Sequence, residues 1–335
     1  MLHHEECIQA PMKDDLIARV LEILKEAGFI VSQRCEARSF DLAARRSELT
    51  VLAKIMRNID GMTEEVAKSI KRAAFCLLAS PLVVGERTGT SLLEDDVVYH
   101  RYDIPALNTH TLYDYFVEGV QPYVYSATRG LYVTIDGDAM RQAREKKEIS
   151  VGDIASELGV SRRSVSMYEK GGMSTSIEIA LKLEEILDTL LIKPLEVFNT
   201  GGEVPSSDIS KGGVEGAGSS LEKDILGMME EIGFEILPMA HAPFSAVSFP
   251  EPPSKARSEG MKILTGISRY TERLIKRARI VSSVSQVTGT KSVFVVNGNI
   301  KRVQIDTTVL FEKEELKRIR DPEEFTSVME ERTKD

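Results

Sequence analysis

The sequence contains no tryptophan and only three cysteines, Cys7, Cys35 and Cys76, which are far apart and odd in number. No CxxC pair occurs, which argues against a disulfide framework or a zinc site and fits a reducing cytoplasm. The five histidines show no ligand spacing, and the adjacent His3 and His4 form only a polar terminal pair. No apolar run approaches the roughly 18 residues of a membrane span. The start, MLHHEECIQAPMKDD, is polar and acidic and lacks the apolar centre of a signal peptide. Neither a phosphate-loop spacing nor a serine-hydrolase signature is present. GERTGT at 85–90 has glycines but no lysine, and it reads as the exit of a strand.

What is present is an ordinary globular composition, 42% apolar and 28% charged, over 335 residues. That length exceeds one typical core, so two or three domains are expected. The net charge is −9, yet residues 255–302 hold 11 Lys/Arg against 2 Asp/Glu, a local net of +9. One basic segment in an acidic chain suggests a localised polyanion contact. Residues 199–220, NTGGEVPSSDISKGGVEGAGSS, are rich in glycine and serine without apolar periodicity and read as a flexible linker. The expected division is an α/β domain over 12–130, a small all-helical domain over 136–198, that linker, and a basic α/β domain over 221–330. In class the chain is α+β multidomain.

The two outer domains have the same order of patterns. LEKDILGMMEEIGFEIL parallels LIARVLEILKEAGFIVS, each a helix, a Gly-Phe and a strand. A second helix and strand follow in both, which suggests that the last domain is a diverged repeat of the first. In the first domain, FIVSQRCEA, SFDLAAR and ELTVLAKIMRN read as strands and TEEVAKSIKRAAFCLLA as a helix capped by Thr63. NTHTLYDYF reads as its final helix.

In the middle segment Met140–Lys147 forms a first helix. Ser150 stands three residues before Asp153, the capping-box spacing, and VGDIASEL then stops at Gly159. Ser161 caps RRSVSMYEK, which ends at Gly171-Gly172, and Ser176 caps IEIALKLEEILDTLL. Two short helices joined by a tight glycine turn are a helix-turn-helix signature. Ile154, Ala155, Leu158, Val160, Val165 and Tyr168 have the spacing of a shared core. Arg162, Arg163, Ser166, Met167 and Lys170 are left outward. Arginines at a helix start can each donate two hydrogen bonds to guanine. Met167 can meet a base only through a thymine methyl. Lys170 suits a phosphate. Ser161 and Ser164 can bond phosphate, although Ser161 serves equally as a cap. Arg269, Arg273, Lys276 and Arg277 are spaced for one helix face and offer a phosphate-tracking surface, or else a solvated face.

Residues 138–198 resemble an Xre/lambda-repressor-type helix-turn-helix domain through Arg144, the Ile-Ser at 149–150, IASELGVSRRSVSMYEKG and SIEIALKLEEIL. The resemblance implies that Arg144 and Glu169 pair and tie the first helix to the third. Where that family often has a phosphate-reaching Gln after the cap, this chain has Val151 and Gly152. GFIVSQRCEARSFDLAARRSELTVLAKI resembles the core of PD-(D/E)xK nucleases and Holliday-junction resolvases. Asp41 matches the first acid and Lys54 the lysine. The second acid would fall on Leu52, so a degenerate, inactive fold is implied unless Glu22 or Glu36 substitutes. Over its whole length the chain resembles archaeal HTH-type transcriptional regulators, through SFDLAARR, GERT and RLIKRARIVSSVS.

The expectation is therefore a cytoplasmic, sequence-specific transcriptional regulator that binds double-stranded DNA as a homodimer. It would carry no catalytic residues, cofactor, metal or membrane anchor, and the sequence names no small-molecule effector. The alternatives are a repair or nuclease-type protein using the first domain, and an adaptor in which the helix-turn-helix only dimerises.

Overall fold

The computed structural model describes residues 13–128, 130–171, 173–198, 218–250 and 260–334. The expected linker lies outside the described residues except at its last three positions. Gly172 and, in the basic segment, Lys255 and Arg257 also lie outside them, as do His3, His4 and Cys7. The chain forms two compact units, one of residues 1–55, 61–82 and 199–335, the other of 56–60 and 83–198.

The first unit begins with α1 (Lys13–Glu26), whose apolar stripe Leu16, Ile17, Val20, Ile23 and Leu24 is buried. Strand β1 (Ile30–Val31) pairs antiparallel with β2 (Leu42–Arg46), and β2 pairs antiparallel with β3 (Leu49–Asn58). The expected strand over FIVSQRCEA is thus only two residues long. Beyond it the chain leaves the ladder, and its polar groups bond locally, Cys35 N to Asp41 O and Ser32 Oγ to the Ala43 amide. Helix α2 (Glu64–Leu77) is capped by Thr63, as its sequence predicts, and leads into β4 (Ser80–Thr88), which continues into the second unit.

The second unit adds β5 (Ser91–Leu92), β6 (Val97–Arg101) and β7 (Ile104–Leu107). Then come α3 (Thr109–Tyr113), whose last turn widens into a π-turn over Asp114–Glu118, and the hairpin β8 (Val124–Ala127) and β9 (Gly130–Ile135). Strands β4 and β7 are parallel, β6 pairs with β7 and β8, and β8 pairs with β9. Helices α4 (Gly137–Lys146), α5 (Val151–Leu158), α6 (Arg162–Glu169) and α7 (Ile177–Leu187) follow. Two two-residue strands flank α7, β10 (Thr175–Ser176) and β11 (Ile192–Lys193), and both pair with β9. The central segment is therefore helical except for these strands. Val133 and Ile135 of β9 share its core with Met140, Ile154, Val165 and Leu183.

The rest of the first unit comprises α8 (Ser220–Ile232), β12 (Glu235–Pro238), β13 (Ala246–Phe249), β14 (Ile263–Ser268), α9 (Glu272–Thr288) and β15 (Lys291–Val296). It ends with β16 (Gln304–Ile305), β17 (Thr308–Glu312), α10 (Lys313–Leu316) and α11 (Pro322–Lys334). The sheet order is β12-β13-β14-β15-β17-β16, with β14, β15 and β17 parallel. Helix, three antiparallel-linked strands, helix and strand is the series in both halves, the order expected of a diverged repeat. The two series meet within this unit. Helix α9 lies on β2, the Gln33 amide donates to Ser283 Oγ at 2.9 Å, and Ser39 Oγ donates to His241 O at 3.0 Å.

Candidate nucleic-acid interface

The helix-turn-helix is built by local caps and one small core. Ser150 Oγ accepts from the Asp153 amide at 3.1 Å, and the Ser150 amide donates to Asp153 Oδ2 at 3.1 Å. The Ser150 hydroxyl also donates to Asp153 Oδ2 at 2.6 Å, and this bond, with the one from the Ser150 amide, holds the Asp153 carboxyl below its ordinary pKa. Gly159, at φ 66°, turns the chain out of α5 in the left-handed region that glycine reaches without strain. Ser161 then caps α6 by accepting from the Ser164 amide at 3.0 Å. Ile154, Ala155, Leu158, Val165 and Tyr168 are buried, and Val160 packs against them. Fully burying each large aliphatic side chain stabilises by about 1.5–3 kcal/mol, so this cluster fixes the crossing of α5 and α6.

Two features of that crossing depend on contacts between helices. Helix α4 starts at Gly137, three residues before its sequence suggests, because Asp136 Oδ1 accepts from the amides of Asp138 and Ala139. A Cβ on Gly137 would lie 2.4 Å from Glu169 O and 2.6 Å from Tyr168 O, so only glycine lets α4 approach the end of α6. Arg144 Nε donates to Glu169 Oε1 at 2.5 Å, and Arg144 Nη1 donates to Ile149 O at 3.2 Å. Both side chains of this pair are at most 15% exposed, and the bond to Glu169 raises the arginine's pKa.

On the opposite side of α6, Ser161, Arg162, Arg163 and Lys170 are exposed, and Ser164, Ser166 and Met167 are half-buried. The hydroxyls of Ser161 and Ser164 lie 2.9 Å apart, so both already take part in the cap. The Arg162 guanidinium rests on Gly152, where a Cβ would meet Nη2 at 3.0 Å and Nε at 3.1 Å. The glycine that departs from the helix-turn-helix pattern thus makes room for the first arginine of α6.

The basic helix departs from its sequence reading. Helix α9 begins at Glu272 behind its cap Thr271, so Arg269 precedes the helix. Arg269, Arg273 and Lys276 are exposed. Arg277, expected on the same phosphate-tracking face, turns inward. Its Nε donates to Pro243 O at 2.5 Å, its guanidinium lies 5.7 Å from the Phe294 ring centroid, and burial lowers its pKa. The face carries one cation fewer than its spacing suggests, because the other side of α9 is packed.

The nuclease-like core assembles around Asp41, which is 3% exposed. Asp41 Oδ1 lies 2.8 Å from Lys13 Nζ, and Oδ2 lies 3.2 Å from Lys54 Nζ and accepts from the Ile55 amide at 2.8 Å. Leu52, at the second-acid position, is wholly buried, and Glu22 and Glu36 are exposed. Burial lowers the Lys54 pKa, and burial with the neighbouring Asp41 pushes the Cys35 thiol up to about 12. One carboxylate, already committed to two ammonium groups and an amide, does not fit a divalent metal. Lys13 lies 28 residues before Asp41, and the nuclease-like pattern does not include it. Although the histidines show no ligand spacing in the sequence, the fold groups the exposed His110 and Asp96 with the half-buried Asp114. Their ligand atoms lie within 4.8 Å of one another and could share a cation, the visible signal being the His110–Asp114 i,i+4 pair.

Residues 13–122 match the PD-(D/E)XK superfamily domain, and residues 140–191 match a helix-turn-helix domain. A protein of Methanosarcina mazei is 43% identical over 330 residues, covering 96% of this chain and 98% of its own length. Relatives from Methanococcoides burtonii and Halorubrum lacusprofundi are 42% and 41% identical over 325 and 321 residues, each covering at least 95% of this chain and 97% of their own length. All three bear the provisional name of HTH-type transcriptional regulatory protein.

Proposed function

The chain belongs to this archaeal family of HTH-type transcriptional regulatory proteins, and from that premise we propose that it reads a specific DNA sequence as a homodimer. The observation that carries the reading is the first turn of α6. There Arg162 and Arg163 stand exposed on a helix whose other side is locked into a core. A helix start placed in the major groove presents such side chains to base edges, and each good bidentate pair discriminates by about 1–3 kcal/mol. Met167 would add a thymine-methyl contact. Lys170, Ser161, Ser164 and Ser166 would anchor phosphates, the first as a charge and the hydroxyls through what the cap leaves available. A single such module covers few base pairs, which favours a reading with two copies on paired half-sites. Arg269, Arg273 and Lys276 would add a salt-dependent, sequence-independent attraction.

In this reading the protein is not a nuclease. The core around Asp41 supports that view, since the acid and lysine are spent on each other and on Lys13. The PD-(D/E)XK fold would serve as scaffold, and the protein would act in the cytoplasm, on genomic DNA. Among the described residues no helix is long and apolar enough to cross a membrane.

The test is selection from a random duplex library at near-physiological salt, with wild type and the R162A/R163A variant in parallel. Enrichment of a paired half-site motif by wild type alone is expected. Equal enrichment by both would show that these arginines do not read bases. Magnesium-dependent cutting of any selected duplex would overturn the scaffold reading.

A further inference from the structure

Helix α2 carries Glu65, Ser69, Arg72 and Cys76 along one face, at i, i+4, i+7 and i+11. That face meets the second repeat within the same compact unit. Glu65 Oε1 pairs with His241 Nε2 at 2.8 Å, and Ser69 Oγ donates to the Ala240 carbonyl. Farther along, the buried Cys76 thiol lies in the field of both Arg72 and Lys262, and burial pushes it up to about 12. Lys262 immediately precedes β14, is half-buried, and has its pKa lowered by burial.

Arg72 is the exception in this seam. Its Nε and Nη2 are buried and have no hydrogen-bond partner, and Ser80 Oγ, at the start of β4, is likewise orphaned. Among the described residues neither Arg72 nor Lys262 has a carboxylate within ion-pair distance. Buried polar groups are almost always paired, because an orphaned donor forfeits its hydration for nothing. Nε and Nη2 are the two donors of one guanidinium edge, and that edge matches two oxygens of a carboxylate or phosphate. Two cations that find no counter-charge among the described residues call for an acceptor-only, negatively charged partner. Donors so buried could meet only a small group, and a DNA backbone could not reach them.

We propose that the seam between α2 and the second repeat binds a small oxyanion, gripped in bidentate fashion by Arg72 Nε and Nη2, with Lys262 supplying the second positive charge. The occupant is a phosphate monoester or a small carboxylate. Bound there, it bridges the two repeats and holds them as one body. This site is separate from α6 and does not depend on how, or whether, α6 reads DNA.

The experiment uses the full chain, with calorimetric titration and thermal unfolding. The probes are inorganic phosphate in one arm and malonate in the other, against chloride at matched ionic strength. Saturable binding of one anion per chain is expected, with an unfolding midpoint that climbs with the logarithm of its concentration. The tighter arm identifies the source of the oxyanion. R72M is expected to weaken binding at least tenfold and K262M severalfold, while K182M, at an exposed position of α7, leaves it unchanged. If R72M does not fold, K262M decides. The proposal falls if neither anion saturates, if the folded variants bind as wild type does (an adventitious surface ion only), or if R72M is simply more stable with no anion effect.

Discussion

Asp41→Asn separates a carboxylate that builds the fold from one kept for metal chemistry. The substitution preserves shape and leaves an oxygen for the Ile55 amide, but it removes the charge facing two lysines. The Lys13 side chain is 41% exposed and can turn to water, so its share of the loss is below about 1 kcal/mol. The Lys54 side chain is 11% exposed and has no such escape. Removing one partner of a buried pair costs about 3 kcal/mol, because the other charge stays behind. Urea unfolding followed by circular dichroism should show that loss at pH 7 without a change in slope. A pH dependence follows with a definite sign. Lys54 already titrates below 10.5 in the fold, mainly from burial, with Asp41 the strongest influence holding it up. Without Asp41 it falls further. Between that lowered value and 10.5 the unfolded chain binds the extra proton, so the variant gains stability as pH rises, by at most about 1.4 kcal/mol per pH unit. The gap to wild type should therefore narrow from pH 7 towards pH 10. A cost under about 0.5 kcal/mol would refute the reasoning, and so would a cost independent of pH. A wild-type midpoint raised by millimolar magnesium, and not raised in the variant, would instead restore Asp41 as a metal ligand.

Two further outcomes follow from the helix-turn-helix geometry. Glu169→Ala leaves the Arg144 guanidinium with the Ile149 carbonyl and the more distant, exposed Glu145 carboxylate at 3.6 Å, and should cost about 2–3 kcal/mol in chemical unfolding. The R144A/E169A double variant should cost less than the sum of the single changes, and simple additivity would mean that the pair is not coupled. Gly137→Ala places a methyl against the backbone carbonyls of Tyr168 and Glu169, which cannot rotate away. A loss of about 1–3 kcal/mol is expected from overpacking, and a stabilised variant in thermal unfolding would show that α4 can retreat without cost.

The sequence by itself determined the parts of this protein that are local. Ser150 with Asp153, Gly159, Ser161 and Thr63 act through hydrogen bonds within a few residues, so their spacing announced the helix ends where they occur. Helical periodicity likewise placed Ile154, Ala155, Leu158, Val165 and Tyr168 in the core and left Arg162 and Arg163 outside it. The helix-to-strand changes from α1 to β1 and from α2 to β4 were also legible, because each change of period is written along the chain, whereas β6 and β7 were not read from it. What lay beyond that reach was decided by pairing across long separations. Lys13 reaches Asp41 across 28 residues, and Ser39 reaches His241 across 202. Those contacts close the nuclease-like core and seat the second α/β series on the first. The same packing turns Arg277 from a surface cation into an internal one and strands Arg72 in a seam. Periodicity says which face of a helix is apolar, but not which neighbour will cover the charged residues beside it, and that choice belongs to the tertiary structure.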